Sequence, residues 1–121
     1  MIKITSIDVY KIDLPLKEGK YNWSHQSSVS AFDSTIVKLN TNKNIFGFGE
    51  VCTLGPAYLP AYPEGAREGI KKIGKFLIGM DPTNFSEINI QMDRNLKGHN
   101  YVKSPIDMAC WDILGKYLEQ P

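Results

Sequence analysis

Residues 45–79 read IFGFGEVCTLGPAYLPAYPEGAREGIKKIGKFLIG, and a change of period inside them decides the fold. Over residues 45–51, Phe46 and Phe48 fall on one side and Gly47 and Gly49 on the other. A period of two is that of a strand. The glycines leave their side bare, which predicts another backbone packed closely there. Phe46 and Phe48 are expected in the core. Residues 53–60 carry Gly55, Pro56, Tyr58 and Pro60 and keep no period, so they read as a loop. Beyond them Ala66, Ile70, Ile73 and Leu77 recur at helical spacing, with Pro63 near the start and Gly79 as a stop.

Upstream, residues 34–39 alternate and are rich in β-branched types. With Asn40-Thr41-Asn42-Lys43-Asn44 as turn, they form a hairpin with 45–51. Residues 17–31 are polar, aperiodic and carry Tyr21, Trp23 and His25. A loop of this length in a compact domain is commonly functional, and its aromatics suggest a lid. Residues 2–14 read as a strand ended by Pro15. Its apolar parity switches after Ile4, so it has either a bulge near Ser6 or two covered faces.

Downstream, Asn84 and Glu87 resemble a capping box, and Phe85, Ile88, Met92 and Leu96 form a second helical stripe closed by Gly98. Ser104-Pro105-Ile106-Asp107 reads as a third capped start, with Asp107 in the cap. Ile106, Cys110, Ile113 and Tyr117 line that helix. Three strands followed by three helices make an α+β domain, a three-stranded antiparallel meander followed by a three-helix bundle.

The 121 residues suffice for one domain with one core. Fourteen basic residues against thirteen acidic ones give a formal charge of +1, which argues against nucleic acid as a partner. Lys71, Lys72 and Lys75, with Arg67 one turn earlier, read as a solvated helix face. No apolar run is long enough to span a bilayer, and the N-terminus does not resemble a signal peptide, so the expected location is cytoplasmic, without membrane contact. Cys52 and Cys110 lie far apart and outside any CxxC motif, as in a reduced cytosolic chain.

Catalytic motifs are missing. The glycines of 47–55 have the wrong spacing for a dinucleotide loop, and there is neither a Walker loop nor a GxSxG turn. Ser24 and His25 are adjacent, which does not make them a hydrogen-bonded pair. Asp107 and Asp112 point about 140° apart on a helix and cannot share a metal ion on one face. Asp112 is expected to pair with a basic neighbour or to face solvent. Glu50 ends a strand beside a loop and has the best functional claim among the acids, with a structural salt bridge as its first expectation. Trp111 is expected in core or inter-domain packing.

The segment Val102-Lys103-Ser104-Pro105-Ile106-Asp107-Met108-Ala109-Cys110-Trp111-Asp112-Ile113-Leu114-Gly115-Lys116 resembles the helix signature of the mandelate racemase and muconate-lactonizing family of the enolase superfamily. That signature usually has alanine where Val102 and Pro105 stand. Gly47-Phe48-Gly49-Glu50, Gly79-Met80-Asp81-Pro82 and the opening Ile2-Lys3-Ile4 are similar to family motifs in the same order. Gly55-Pro56-Ala57-Tyr58 and Gly98-His99-Asn100-Tyr101 look most like the proline-betaine and hydroxyproline-betaine epimerases.

The resemblance implies that residues 1–121 are an N-terminal capping domain. A (β/α)₇β barrel, absent from this chain, would hold the acid/base residues and the carboxylates for Mg²⁺. The full-length enzyme would abstract the proton beside the carboxylate of a small substrate, a cyclic amino acid or betaine, and would be a homo-oligomer. The isolated chain is expected to be inactive and to bind no metal. Its own task would be to close loops 17–31 and 52–60 over the barrel mouth, with Tyr58, Trp23 and His25 touching substrate. Tyr58 could offer cation–π attraction to a quaternary ammonium. An exposed apolar surface is expected where the barrel docks. The competing reading is a stand-alone small-molecule-binding or assembly domain without catalysis.

Overall fold

The computed structural model describes residues 1–17, 19, 21–23 and 27–121, with 21–23 and 27–29 described by their backbone. The elements follow as β1 (Ile4–Pro15), β2 (Tyr21–Trp23), β3 (Ser27–Val29), β4 (Ala31–Thr41), β5 (Phe46–Cys52), α1 (Pro63–Gly74), α2 (Phe85–Asn95) and α3 (Asn100–Tyr117). β1, β4 and β5 form an antiparallel sheet in that order, which is the expected meander. The expected loop at 17–31 is not structureless. It contains a second sheet of two three-residue strands, pairing Tyr21 with Val29 and Trp23 with Ser27. Strands this short carry too few apolar positions to show a period.

The parity switch in β1 is a register shift between Ile4 and Ser6. Before it Ile2 and Ile4 are buried; after it Ile7 and Val9 pack against the core, while Tyr10, Ile12 and Leu14 are exposed. One extra residue thus moves the inward face from even to odd positions. The helices cover one face of the sheet. Ala66, Ile70, Ile73 and Leu77 are fully buried, as are Ile106, Ala109 and Ile113, against Val37 and Leu39 of β4. Asn84 caps α2, its Oδ1 accepting a hydrogen bond from the Glu87 N–H at 3.4 Å.

α3 lies directly on the bare face of β5. A Cβ on Gly49 would stand 1.7 Å from the Pro105 carbonyl oxygen, and one on Gly47 2.2 Å from that of Ala109. This contact corrects the expectation for the flanking aromatics. With the glycines inward, strand alternation turns Phe46 and Phe48 outward, where they are 41% and 44% exposed and meet edge to face at 5.5 Å. The Lys116 ammonium lies 5.0 Å from the Phe46 ring centre.

α3 starts earlier than expected. Gly98 and His99 both take positive φ, 64° and 56°, and this left-handed pair turns the chain from α2 into a helix beginning at Asn100. Pro105 therefore lies inside the helix, and Asp107 is a helix-interior residue rather than a cap. Tyr117, expected in the buried stripe, is exposed because α3 is running past the edge of the core there. Trp111 is not in the core of this chain either. It is 56% exposed, with its indole stacked on Phe85 at 4.2 Å. Among the described residues no helix is long and apolar enough to cross a membrane.

Candidate functional site

The sheet has one end from which both long connections leave. β1 ends there at Pro15, β4 begins there at Ala31, and β5 ends there at Cys52. The Leu16 N–H donates to the Ser30 carbonyl at 3.0 Å and closes the base of the first connection. The second, 53–62, contains a tight turn: Gly55 has φ 109°, and its carbonyl accepts from the N–H groups of Tyr58 and Leu59, each at 3.1 Å. A positive φ favours glycine at the turn's base. Tyr58 is thereby held out on the turn, 47% exposed. Of the other expected substrate contacts, Trp23 has its backbone in β2, with its side chain outside the described residues; His25 lies outside them altogether, as does Ser24. The hairpin carrying Trp23 and the turn carrying Tyr58 both leave this one end of the sheet.

Downstream of the turn, a groove of about 470 Å³ runs between Leu59, Pro60 and Ala61 on one side and His99, Asn100 and Tyr101 on the other. The Tyr101 ring centre is 5.9 Å from that of His99 and 6.4 Å from that of Tyr62. The groove therefore adjoins both short segments, 55–58 and 98–101, that carried the finer family resemblance.

A polar cluster lies under these loops. Glu50 makes no ion pair among the described residues, contrary to expectation; its carboxylate accepts from the Ser34 hydroxyl. One residue before and one after, on the opposite face of β4, Asp33 and Thr35 meet Arg67 of α1. The guanidinium donates to both Asp33 oxygens, at 2.7 and 3.2 Å, and to the Thr35 hydroxyl at 3.2 Å. Asp13 stands opposite Asp33 in the β1–β4 register, and the Lys11 ammonium lies 2.6 Å from Asp13 and 3.9 Å from Asp33. Two facing carboxylates are thus balanced by two cations. The hydrogen bond from Arg67 holds the Asp33 carboxyl below its ordinary pKa, against the opposing effect of burial.

Neither cysteine is an activated nucleophile. Burial pushes the Cys52 thiol up, and it pushes Cys110 up to about 12. Asp112 pairs as expected: burial raises its pKa, but the Lys116 ammonium at 2.9 Å and the Phe48 N–H at 2.9 Å outweigh that and hold it low. Among the described residues no three His, Cys, Asp or Glu side chains converge. The carboxylates nearest the loops are already taken by Lys11, Arg67 and Ser34, so this donor set does not fit a Mg²⁺ site. Asp33, Ser34 and Thr35 were absent from the sequence-based candidates, and Arg67, expected on a solvated helix face, is instead mostly buried because its guanidinium turns back onto Asp33 and Thr35 of β4. The available signal was three consecutive polar residues opening a β-branched strand.

Residues 12–121 match the N-terminal domain of the mandelate racemase / muconate lactonizing enzyme family. The chain is 52% identical over 120 residues to a cis-3-hydroxy-L-proline dehydratase of Roseibium aggregatum, which covers 99% of this chain and 33% of that enzyme. It is 35% identical to an N-succinyl-L-Arg/Lys racemase of Bacillus cereus, covering 99% of this chain and 32% of the racemase. Among solved structures, an enolase-superfamily member from Roseovarius nubinhibens complexed with magnesium superposes with a TM-score of 0.87 at 42% identity, over 98% of this chain and 31% of the other. The chain thus spans about a third of the length of the curated relatives it matches.

Proposed function

Since the chain belongs to the mandelate racemase / muconate lactonizing enzyme family, as its N-terminal domain, we propose that it is the cap that shapes the substrate pocket of a proton-abstracting enzyme. The whole enzyme would be a Mg²⁺-dependent homo-oligomer in the cytoplasm. Its barrel, which these 121 residues do not contain, would supply the metal ligands and the acid/base residues. The metal would stabilise the charge that develops on the carboxylate as the adjacent proton leaves. The cap would contribute shape and exclusion of water through residues 17–31 and 52–60.

The substrate class we propose is a cyclic amino acid or its betaine. Identity to a dehydratase named for a hydroxylated proline, sustained across nearly the whole chain, supports a ring substrate. The observation that carries the cap's role is the turn at Gly55, which holds the half-exposed Tyr58 ring at the end of the sheet where the first connection also leaves. Tyr58 would present its face to the substrate ring or to a quaternary ammonium, with Trp23 and His25 contacting substrate from the first connection.

The test replaces the N-terminal third of the Roseibium dehydratase with this chain and measures turnover of cis-3-hydroxy-L-proline. Tyr58→Ala in the chimera is expected to raise KM roughly tenfold, the scale of one lost ring contact of ~1–1.5 kcal/mol. Unchanged KM and kcat in Tyr58→Ala would remove Tyr58 from the pocket.

A further inference from the structure

We infer that the tripeptide Asp33-Ser34-Thr35 is a positioning element that grips both ends of the loop carrying Tyr58. The loop 53–62 leaves β5 just after Glu50, Val51 and Cys52 and enters α1 at Pro63, about one turn before Arg67. In a strand, successive side chains point to opposite faces. Ser34 therefore reaches across the sheet to the loop's upstream end, donating to the Glu50 carboxylate, with the Val51 carbonyl 3.5 Å from the same hydroxyl. Asp33 and Thr35 point to the helical face and hold the downstream end through Arg67.

The geometry favours specific positioning over a diffuse charge effect. Ser34 and Thr35 are fully buried, and Arg67 is mostly so, with a fork that engages two acceptor residues at once. Such a fork fixes orientation as well as distance, which a lysine in its place could not do. The same tripeptide begins two residues after the first connection rejoins β4 at Ala31. Its Asp33 also faces Asp13 and Lys11 on the strand that enters that connection. The bases of both connections are therefore fixed to one another through three consecutive residues. The relevance of this element to substrate rests on the proposed cap function; the mechanical coupling does not.

Amide hydrogen exchange of the 121-residue chain, read residue by residue by NMR, tests it. Arg67→Ala and Ser34→Ala are each expected to accelerate exchange at Tyr58, Leu59 and Ala61 by roughly tenfold, the loss of one strong hydrogen bond from a locally opening segment. The core amides of Val37, Leu39 and Ile113 should stay within twofold of wild type. Arg67→Lys is expected to leave more than half of the loop effect in place. Asp33→Asn, which keeps shape and removes charge, provides the same reading should Arg67→Ala not fold. Loop exchange that does not change, or that rises only in step with the core amides, overturns the inference, as does full rescue by lysine. Because no substrate enters this experiment, its failure is distinct from failure of the Tyr58 test in the chimera.

Discussion

Gly49 shows how little room the fold leaves at its tightest contact. An added methyl would stand 1.7 Å from a backbone oxygen of α3, and neither partner is a flexible side-chain tip. Gly49→Ala is expected to destabilise the chain by about 3 kcal/mol or more, seen as a lowered urea midpoint with unchanged slope. A loss below about 0.5 kcal/mol would mean that α3 can slide without cost. Asp33 sets a second expectation. Its folded pKa is depressed, so its stabilising contribution is present above the unfolded value of about 3.9 and is lost as pH falls through the lower folded value. The stability difference between wild type and Arg67→Ala should therefore be constant above about pH 5 and shrink below about pH 4. A difference that grows on acidification would contradict the pairing. The glycine pair announced its contact in the sequence, because bare positions in a strand have few other uses. The Asp33–Arg67 pair did not, since its partners are 34 residues apart and meet only after the sheet and α1 have packed.

Helical stripes were the most legible elements. Ala66, Ile70 and Ile73 repeat at a period that only one local structure satisfies, and all three are fully buried in α1; Leu77 is buried too, but from the turn that follows, because α1 ends at Gly74 and not at the expected stop, Gly79. Boundaries were less legible where the backbone, rather than a side chain, does the work. Ser104-Pro105 imitates a cap and first turn, while the real start at His99 relies on two left-handed residues and no capping hydrogen bond. The hairpin of β2 and β3 was invisible for a related reason: three residues per strand hold together through backbone pairing without an apolar pattern. Pro105 within α3 lacks the N–H that would bond to the Tyr101 carbonyl, and its ring crowds that carbonyl. Pro105→Ala, the residue usual at this position in the family signature, is expected to raise stability by about 1 kcal/mol or more, measured as an increase in Tm. A lowered Tm would show that the ring's packing outweighs the missing bond.

At the scale of the whole molecule, the chain completes a core, and among the described residues no three potential metal-ligating side chains converge. Its helices bury one face of the sheet, while Met108 and Trp111 on α3 and Leu118 just beyond it remain exposed. The described acids near the loops are engaged in holding the fold together, and both thiols are poor nucleophiles. Family membership was legible because several short motifs occur in the right order. The placement of Tyr58 also followed from the loop between strand and helix, whereas the grip of Asp33-Ser34-Thr35 beneath it required the fold. The most direct test of the cap reading is exchange of the proton beside the carboxylate of cis-3-hydroxy-L-proline in D₂O, compared between the 121-residue chain and its chimera with the Roseibium barrel. The account predicts no exchange above background by the chain alone and Mg²⁺-dependent exchange by the chimera. Exchange catalysed by the chain alone would place the chemistry in these 121 residues and contradict it.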